Sequence, residues 1–142
     1  GIGTFRYGGT TSILSARMDA VANITPIDYF AVAVTARSSR NDVTSARVPY
    51  LPGFEFSALY RRTFAAFKVT VSVNAFTERR ASRVGPLTAP GGLWSGVRME
   101  YGGIPRLKVF LNLENVLDRS DQLWRGYDVE PLRIDLGFSY RW

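Results

Sequence analysis

The sequence predicts an all-β fold: an antiparallel up-and-down transmembrane β-barrel, of which this chain holds about seven C-terminal strands. Three observations predict it. Apolar and polar residues alternate along most of the chain, the connections alternate between short and long, and the last strand ends on an aromatic residue. Successive side chains of a strand point to opposite faces, so such alternation gives each strand one apolar face and one polar face.

The last strand shows the alternation most clearly. From Leu132 to Trp142 every even-numbered residue is apolar, whereas the odd-numbered residues are Arg, Asp, Gly, Ser and Arg. Bacterial outer-membrane barrels end in this way, but the last strand of a soluble sandwich also alternates. This segment alone therefore leaves both interpretations open.

Six further segments alternate in the same manner. They are Ser12–Ile24, Tyr29–Arg37, Phe54–Thr63, Phe67–Glu78, Leu93–Tyr101 and Leu107–Glu114. On the apolar faces assigned to all seven strands we find no charge and one polar residue, Ser95. No segment with a helical period is left over to cover the apolar side, so lipid is the expected cover.

The connections run short, long, short, long, short, long, at 25–28, 38–53, 64–66, 79–92, 102–106 and 115–131. Outer-membrane barrels have short periplasmic turns and longer outside loops. We therefore predict a location in the bacterial outer membrane, with the C-terminus in the periplasm. Bacterial barrels have even strand numbers, and an open seven-stranded sheet would leave unpaired edges in hydrocarbon. Residues 1–142 are expected to be the C-terminal part of one larger barrel domain, whose plug and upstream strands are not in this chain.

The composition excludes several functional classes. The chain has no cysteine and no histidine, which removes disulfides, cysteine nucleophiles, the usual zinc ligands and a serine–histidine triad. No apolar run of about 18 residues and no signal peptide are present. The net charge is +6, from sixteen arginines and two lysines. Most strand arginines share a face with acids, so we expect no nucleic-acid partner. We also expect no enzyme activity, no metal and no cofactor.

The residues from about Tyr50 to Trp142 resemble the last third of a TonB-dependent receptor-type barrel. The resemblance rests on Leu51–Gly53 before the strand from Phe54, on the turn Asn115-Val-Leu-Asp118, and on the closing strand. In that family the penultimate strand ends in a similar Asn-Leu-Phe-Asp turn, and the usual last residue is Phe. The resemblance implies uptake of a scarce ligand, such as a metal chelate, a vitamin or a saccharide. It also implies that the barrel-assembly machinery reads Phe138, Tyr140 and Trp142.

Two sets of charged residues are candidates for function. The lumen-facing set is Arg17, Asp19, Arg37, Arg98, Glu100, Lys108, Glu114, Arg133 and Asp135. The outer-loop set is Arg79, Arg80 and Arg83. These residues either contact lipopolysaccharide phosphates, because arginine binds phosphate bidentately, or are ordinary solvated loop charges.

The lumen charges are expected to pair across hairpins. The turn at 102–106 predicts Glu100 opposite Lys108 and Arg98 opposite Phe110, and the first hairpin predicts Asp19 near Arg37. Such pairs either satisfy a polar interior, or their arginines bias the pore toward anions or dock a plug.

Three functional hypotheses stay open. The first is a receptor or transporter barrel, with outer-membrane lipid, lipopolysaccharide and an energy-coupling protein or other envelope subunits as partners. The second is a structural or assembly barrel of an envelope complex that transports nothing. The third is a soluble β-sandwich that acts as a binding module.

Overall fold

A computed structural model of the protein describes residues 9–42, 47–82 and 87–142, apart from the side chain of Leu123. The described residues form eleven strands: β1 Thr11–Thr25, β2 Asp28–Asn41, β3 Phe54–Phe64, β4 Phe67–Phe76, β5 Arg79–Arg80, β6 Thr88–Ala89, β7 Gly92–Ile104, β8 Leu107–Glu114, β9 Gln122–Trp124, β10 Tyr127–Asp128 and β11 Arg133–Tyr140. Within these ranges no helix is long and apolar enough to cross a membrane.

The seven long strands form one antiparallel sheet in the order β1-β2-β3-β4-β7-β8-β11. Each long strand pairs with the next one along the chain, so the sheet is an up-and-down meander. The predicted seven strands and their order are confirmed. In the described part of the chain, β1 and β11 are the two edges.

The predicted alternation of short and long connections is also confirmed. Short turns at 26–27, 65–66 and 105–106 join strands at one end of the sheet. Ala65 and Arg106 adopt positive φ angles of 48° and 64° there, so each of these two tight turns has one central residue in the left-handed region. At the other end, two of the long connections contain the small hairpins β5–β6 and β9–β10, which the sequence did not predict.

The register of the β7–β8 hairpin differs from the predicted one by two residues. Glu100 lies opposite Phe110, and Arg98 lies opposite Asn112. The predicted pairs with Lys108 and Phe110 are therefore wrong. The reason is that β7 continues to Ile104 through a bulge, which moves the turn to 105–106 and shifts every pair behind it.

The first hairpin was also placed in the wrong register. Asp19 lies opposite Ala33, and Arg37 lies opposite Ser15, so Asp19 and Arg37 are not neighbours. Both errors are even-numbered shifts. Because side chains alternate with a period of two, they left every residue on its predicted face.

Continuous rows of side chains cross the sheet on each of its two faces. One row contains Ala22, Phe30, Tyr60, Val71, Val97, Leu113 and Ile134. We call the face that carries it the apolar face. A row on the opposite side contains Asn23, Tyr29, Arg61, Thr70, Arg98, Asn112 and Asp135. We call that side the polar face.

The separation of the two faces has exceptions that the sequence analysis missed. Arg62 lies in phase with Tyr60, opposite Asp28, so the apolar face does carry charge. On the polar face of β1, Ile13 and Val21 are 54% and 63% exposed. The statement that the apolar faces hold no charge is therefore wrong.

No second layer covers the apolar face within residues 9–42, 47–82 and 87–142. Among these residues the buried apolar side chains are Ala89, in the small hairpin strand β6, and Pro52, in the connection before β3. Leu14, Met18, Leu136 and Phe138 are between 70% and 77% exposed. A soluble sandwich packs this face against a second sheet about 10 Å away, so the third hypothesis does not match this fold.

Candidate functional site

All nine residues of the predicted lumen-facing set lie on the polar face according to the strand register. Several are joined in ion pairs, which are Arg17–Asp19 at 2.7 Å, Arg98–Glu100 at 2.8 Å and Arg133–Asp135 at 3.0 Å. The predicted sharing of a face between arginines and acids on one strand is thus confirmed. That this face lines a lumen stays a prediction.

Glu100 is the centre of the best-enclosed charge cluster on the polar face. Its carboxylate is 2.7 Å from Lys68 Nζ and 2.8 Å from Arg98 Nε, and its side chain is 13% exposed. The guanidinium of Arg98 also lies 4.8 Å from the ring centre of Phe110. Part-exposed pairs contribute about 0–1 kcal/mol each. The cluster therefore fixes the positions of two cations more than it stabilises the fold.

Three charged residues of this face were not among the predicted site residues. They are Lys68, Glu55, which pairs with Arg37, and Arg61, whose guanidinium lies 4.4 Å from the ring centre of Tyr29. All three alternate in phase with the polar side of their strands, so the period alone was enough to find them.

A cavity of about 290 Å³ opens on the polar face near the long connections. Asn74, Trp94, Glu114, Glu130 and Arg133 are among its lining residues. Arg133 pairs here with Glu114 at 3.6 Å and with Glu130 at 3.8 Å. The indole N–H of Trp94 is buried and has no hydrogen-bond partner among the described residues. The cavity thus offers an indole, a guanidinium and carboxylates to a polar ligand.

Asn115 holds the last long connection to the sheet beside this cavity. It is buried and has a φ of 51°. Its side-chain amide donates to the carbonyls of Arg119 and Glu130, both at 2.9 Å, and its Oδ1 accepts from the Arg119 N–H at 3.1 Å. Asp118 in turn accepts a hydrogen bond from the Leu132 N–H at 3.0 Å. Both side chains of this turn thus bond to backbone, Asn115 within the turn and beyond it, and Asp118 to the residue before β11.

Asp121 ties the same connection to the start of β7. Its carboxylate accepts the Leu93 N–H at 2.7 Å and lies 3.1 Å from Arg119 Nε. Burial alone would raise the pKa of Asp121. The hydrogen bonds from Arg119 and Leu93 outweigh burial, so the pKa lies below its ordinary value.

The arrangement of this chain is similar to that of two solved structures. The ferric-catecholate import receptor Fiu from Escherichia coli K12 matches with a TM-score of 0.79 and 18% identity, over 98% of this chain and 22% of Fiu. The fold is that of a TonB-dependent receptor barrel. A chain in the structure of the FpvAI–pyocin S2 complex matches with a TM-score of 0.78 and 13% identity, over 93% of this chain and 20% of that one.

The match covers only a small part of each solved structure. This chain spans about a fifth of the length of the solved receptors that it matches. No family model and no curated protein matches the sequence. The resemblance of the sequence to a receptor-type barrel is confirmed as a statement about fold.

The last strand, β11, presents two of the predicted assembly residues, Phe138 and Tyr140, on the apolar face, and Trp142 follows the strand. Phe138, Tyr140 and Trp142 are 74%, 53% and 102% exposed. β11 pairs with β8 on one side, and within the described residues no strand pairs with its other side. Recognition of these residues by the assembly machinery stays a prediction.

The two described residues of the predicted outer-loop phosphate set, Arg79 and Arg80, make different contacts. Arg79 is buried, donates to the Gln122 carbonyl at 2.7 Å and lies 4.2 Å from the ring centre of Phe76. This burial also lowers the pKa of Arg79 and leaves little of its side chain exposed to a phosphate. Arg80 donates to the Ser82 carbonyl at 2.7 Å, and Arg83 lies outside the described residues. Phosphate contact by these three residues stays a prediction.

Proposed function

We propose that this chain is the C-terminal part of an outer-membrane barrel of the TonB-dependent receptor type, and that the intact barrel takes up a ligand across the outer membrane. One observation carries the proposal: an apolar face crosses all seven long strands, and nothing in the described ranges covers it. A membrane-spanning barrel turns such a face to lipid. The likeness to Fiu, an import receptor, supports the transport part of the proposal.

In the described ranges, β1 and β11 each have one side with which no strand pairs, and this supports the view that the chain is one part of a larger barrel. An unsatisfied backbone group in hydrocarbon costs several kcal/mol, so both edges require partners inside a membrane. In this proposal, further strands pair with the free sides of β1 and β11, and a plug fills the closed barrel. Residues 1–142 then belong to a single barrel domain.

The proposed orientation follows from the two ends of the sheet. The three short turns face the periplasm together with the C-terminus, and the long connections face outside, as in other outer-membrane barrels. The proposed partners are outer-membrane lipid, lipopolysaccharide at the outer loops, the barrel-assembly machinery at Phe138, Tyr140 and Trp142, and an energy-coupling protein or other envelope subunits.

The ligand proposed for uptake is a scarce polar molecule: a metal chelate, a vitamin or a saccharide. The cavity beneath the last long connection supports this class, because Glu114 and Arg133 offer hydrogen-bonding groups beside the ring of Trp94. The surrounding polar face supplies further charges that are already paired, which keeps them in fixed positions.

Membrane embedding is tested by extraction of the intact protein from its native membranes. We expect it to require detergent, and we expect the folded protein to change its gel migration on heating. Release by salt or alkali alone would contradict the barrel.

Uptake is tested with a strain that lacks the intact protein, offered labelled iron chelates, vitamins and saccharides at low concentration. We expect accumulation of one class to fall. Unchanged accumulation of all three, with the protein still embedded, would favour the structural barrel that transports nothing.

A further inference from the structure

A charged residue interrupts the apolar face near its short-turn end. Arg62 lies on this face opposite Asp28, one row from Tyr60. Its side chain is 51% exposed, whereas that of Asp28 is 12% exposed. A charge in a lipid-facing position is rare unless it has a function or a polar partner, so this one requires an explanation.

The carboxylate of Asp28 has hydrogen-bond donors other than Arg62. Its Oδ1 accepts the Tyr60 hydroxyl at 2.6 Å, and its Oδ2 accepts the Thr25 hydroxyl at 2.6 Å. Arg62 Nε lies 3.8 Å from Oδ1, too far for a strong hydrogen bond. The Nε edge of Arg62 therefore lies beside the Asp28 carboxylate, and the same guanidinium also interacts with the Tyr60 hydroxyl.

The depth of Arg62 matches a lipid headgroup. It precedes the turn at 65–66 by three residues, which at 3.3 Å per residue and a 40° tilt is roughly 8 Å along the bilayer normal. On the same face Phe64 and Phe67 stack at 5.7 Å between ring centres, and Phe67 meets Tyr101 at 4.8 Å. Such aromatic bands lie at the membrane–water interface.

We propose that Arg62 binds the phosphate of a phospholipid in the leaflet at the short turns. This inference rests on the proposed membrane barrel. The two terminal nitrogens of the guanidinium match two phosphate oxygens, because arginine binds phosphate as a planar fork. The acyl chains lie along Val69 and Met99, which follow Arg62 in the same row of the apolar face.

The surroundings of Arg62 favour a phospholipid over the other anions. A free phosphate has no apolar part that could contact the part-exposed Val69 and the exposed Met99. An acidic protein segment would have to displace lipid from the aromatic band. Only a lipid presents a phosphate and long apolar chains together at this depth. The proposed occupant is therefore a membrane lipid, and the experiment below distinguishes it from free phosphate.

The chain offers a matched control one residue away. Arg61 lies on the polar face, with its guanidinium over the ring of Tyr29. Arg61 and Arg62 have the same chemistry and nearly the same height in the sheet. They differ in the face to which they belong, so Arg61→Gln removes an equal charge without touching the proposed site.

The experiment measures phosphatidylglycerol bound to the intact protein in detergent by native mass spectrometry, with diacylglycerol as the lipid that lacks phosphate. We expect Arg62→Gln to weaken phosphatidylglycerol binding about tenfold and to leave diacylglycerol binding unchanged. Arg61→Gln should change neither. Inorganic phosphate in excess should not displace the lipid.

The remaining outcomes separate this inference from the proposed function. Equal loss in both variants, no loss in Arg62→Gln, or displacement by inorganic phosphate would overturn the lipid site while the barrel stands. Should Arg62→Gln fail to fold, Arg62→Lys keeps the charge without the fork. We expect it to weaken binding about threefold, and unchanged binding would overturn the site. An intact protein that is soluble without detergent would overturn both proposals.

Discussion

The hydroxyl of Ser95 accepts a hydrogen bond from the backbone N–H of Leu117 at 3.2 Å, and its carbonyl accepts one from Val116 at 3.2 Å. Ser95 was the one polar residue found on the predicted apolar faces. This contact explains why a polar residue lies there, because the turn that follows β8 folds back onto β7. The polar residue that interrupts the alternation therefore hydrogen-bonds the last long connection to the sheet.

Replacing Ser95 by Ala should destabilise the protein by about 1 kcal/mol, because the Leu117 N–H loses its acceptor. The measurement is the urea midpoint of the protein folded in detergent micelles. Ser72→Ala on β4 is the control, since the Ser72 hydroxyl makes no hydrogen bond to the rest of the described chain. We expect it to stay within about 0.5 kcal/mol of the parent. Equal effects would show that the Leu117 contact contributes nothing.

Substitution of Asn115 should destabilise the protein more than Ser95→Ala does, because Asn115 makes three hydrogen bonds and has a left-handed backbone conformation. Asn115→Ala loses the bonds at about 1 kcal/mol each and adds a left-handed penalty of about 1 kcal/mol, so we expect a loss of about 3–4 kcal/mol. Asn115→Gly loses the same bonds without the penalty. It should therefore unfold at a higher urea concentration than Asn115→Ala, and the reverse order would contradict this account.

The faces of the sheet were predictable from sequence, whereas the partners across it were not. Parity alone places Val71 and Ser72 on opposite faces, because a strand has a period of two. The pairing of Arg37 with Glu55 depends on the register between β2 and β3, which the 12 residues of 42–53 do not encode in any simple pattern. The bulge in β7 had the same effect on Glu100.

The site residues were predictable from sequence only where they follow the alternation of apolar and polar residues along a strand. The burial of Arg79 depends on the carbonyl of Gln122, which is 43 residues away. Arg62 was missed because the apolar pattern of its strand was followed only as far as Tyr60. Strands of two or three residues, such as β5 and β9, are too short to show a period.

Glu100→Gln should cost about 1–2 kcal/mol, because two part-buried ion pairs are lost and Lys68 and Arg98 are left near each other. Urea unfolding in micelles measures the change. The matched control is Glu114→Gln, whose side chain is 52% exposed and whose contact to Arg133 is 3.6 Å long. It should change stability by less than about 0.5 kcal/mol. A larger loss at Glu114 would contradict the central place of Glu100.

The contact between Asp121 and Leu93 should weaken in acid. The pKa of Asp121 is lowered in the folded protein, so its contribution is fully present above the unfolded value of about 3.9 and is lost as the pH falls through the folded pKa. Amide exchange at Leu93 reports the opening and should accelerate below about pH 4, after correction for intrinsic exchange. Asp121→Asn should remove this dependence, whereas Asp128→Asn on the exposed strand β10 should retain it. A dependence that survives in Asp121→Asn would contradict the assignment.

Val71→Arg is the sharpest test of the apolar face. Val71 occupies the middle of a row that crosses all seven long strands, between Tyr60 and Val97. An arginine at the lipid-facing midplane costs about 2–4 kcal/mol, so we expect this variant to lose that much stability or to fail to insert into membranes. Ser72→Arg, its neighbour on the polar face, should insert and unfold near the parent value, because a hydrated lumen accepts the charge. Membrane fractionation and urea unfolding measure both variants, and two equally harmless arginines would mean that lipid does not touch Val71.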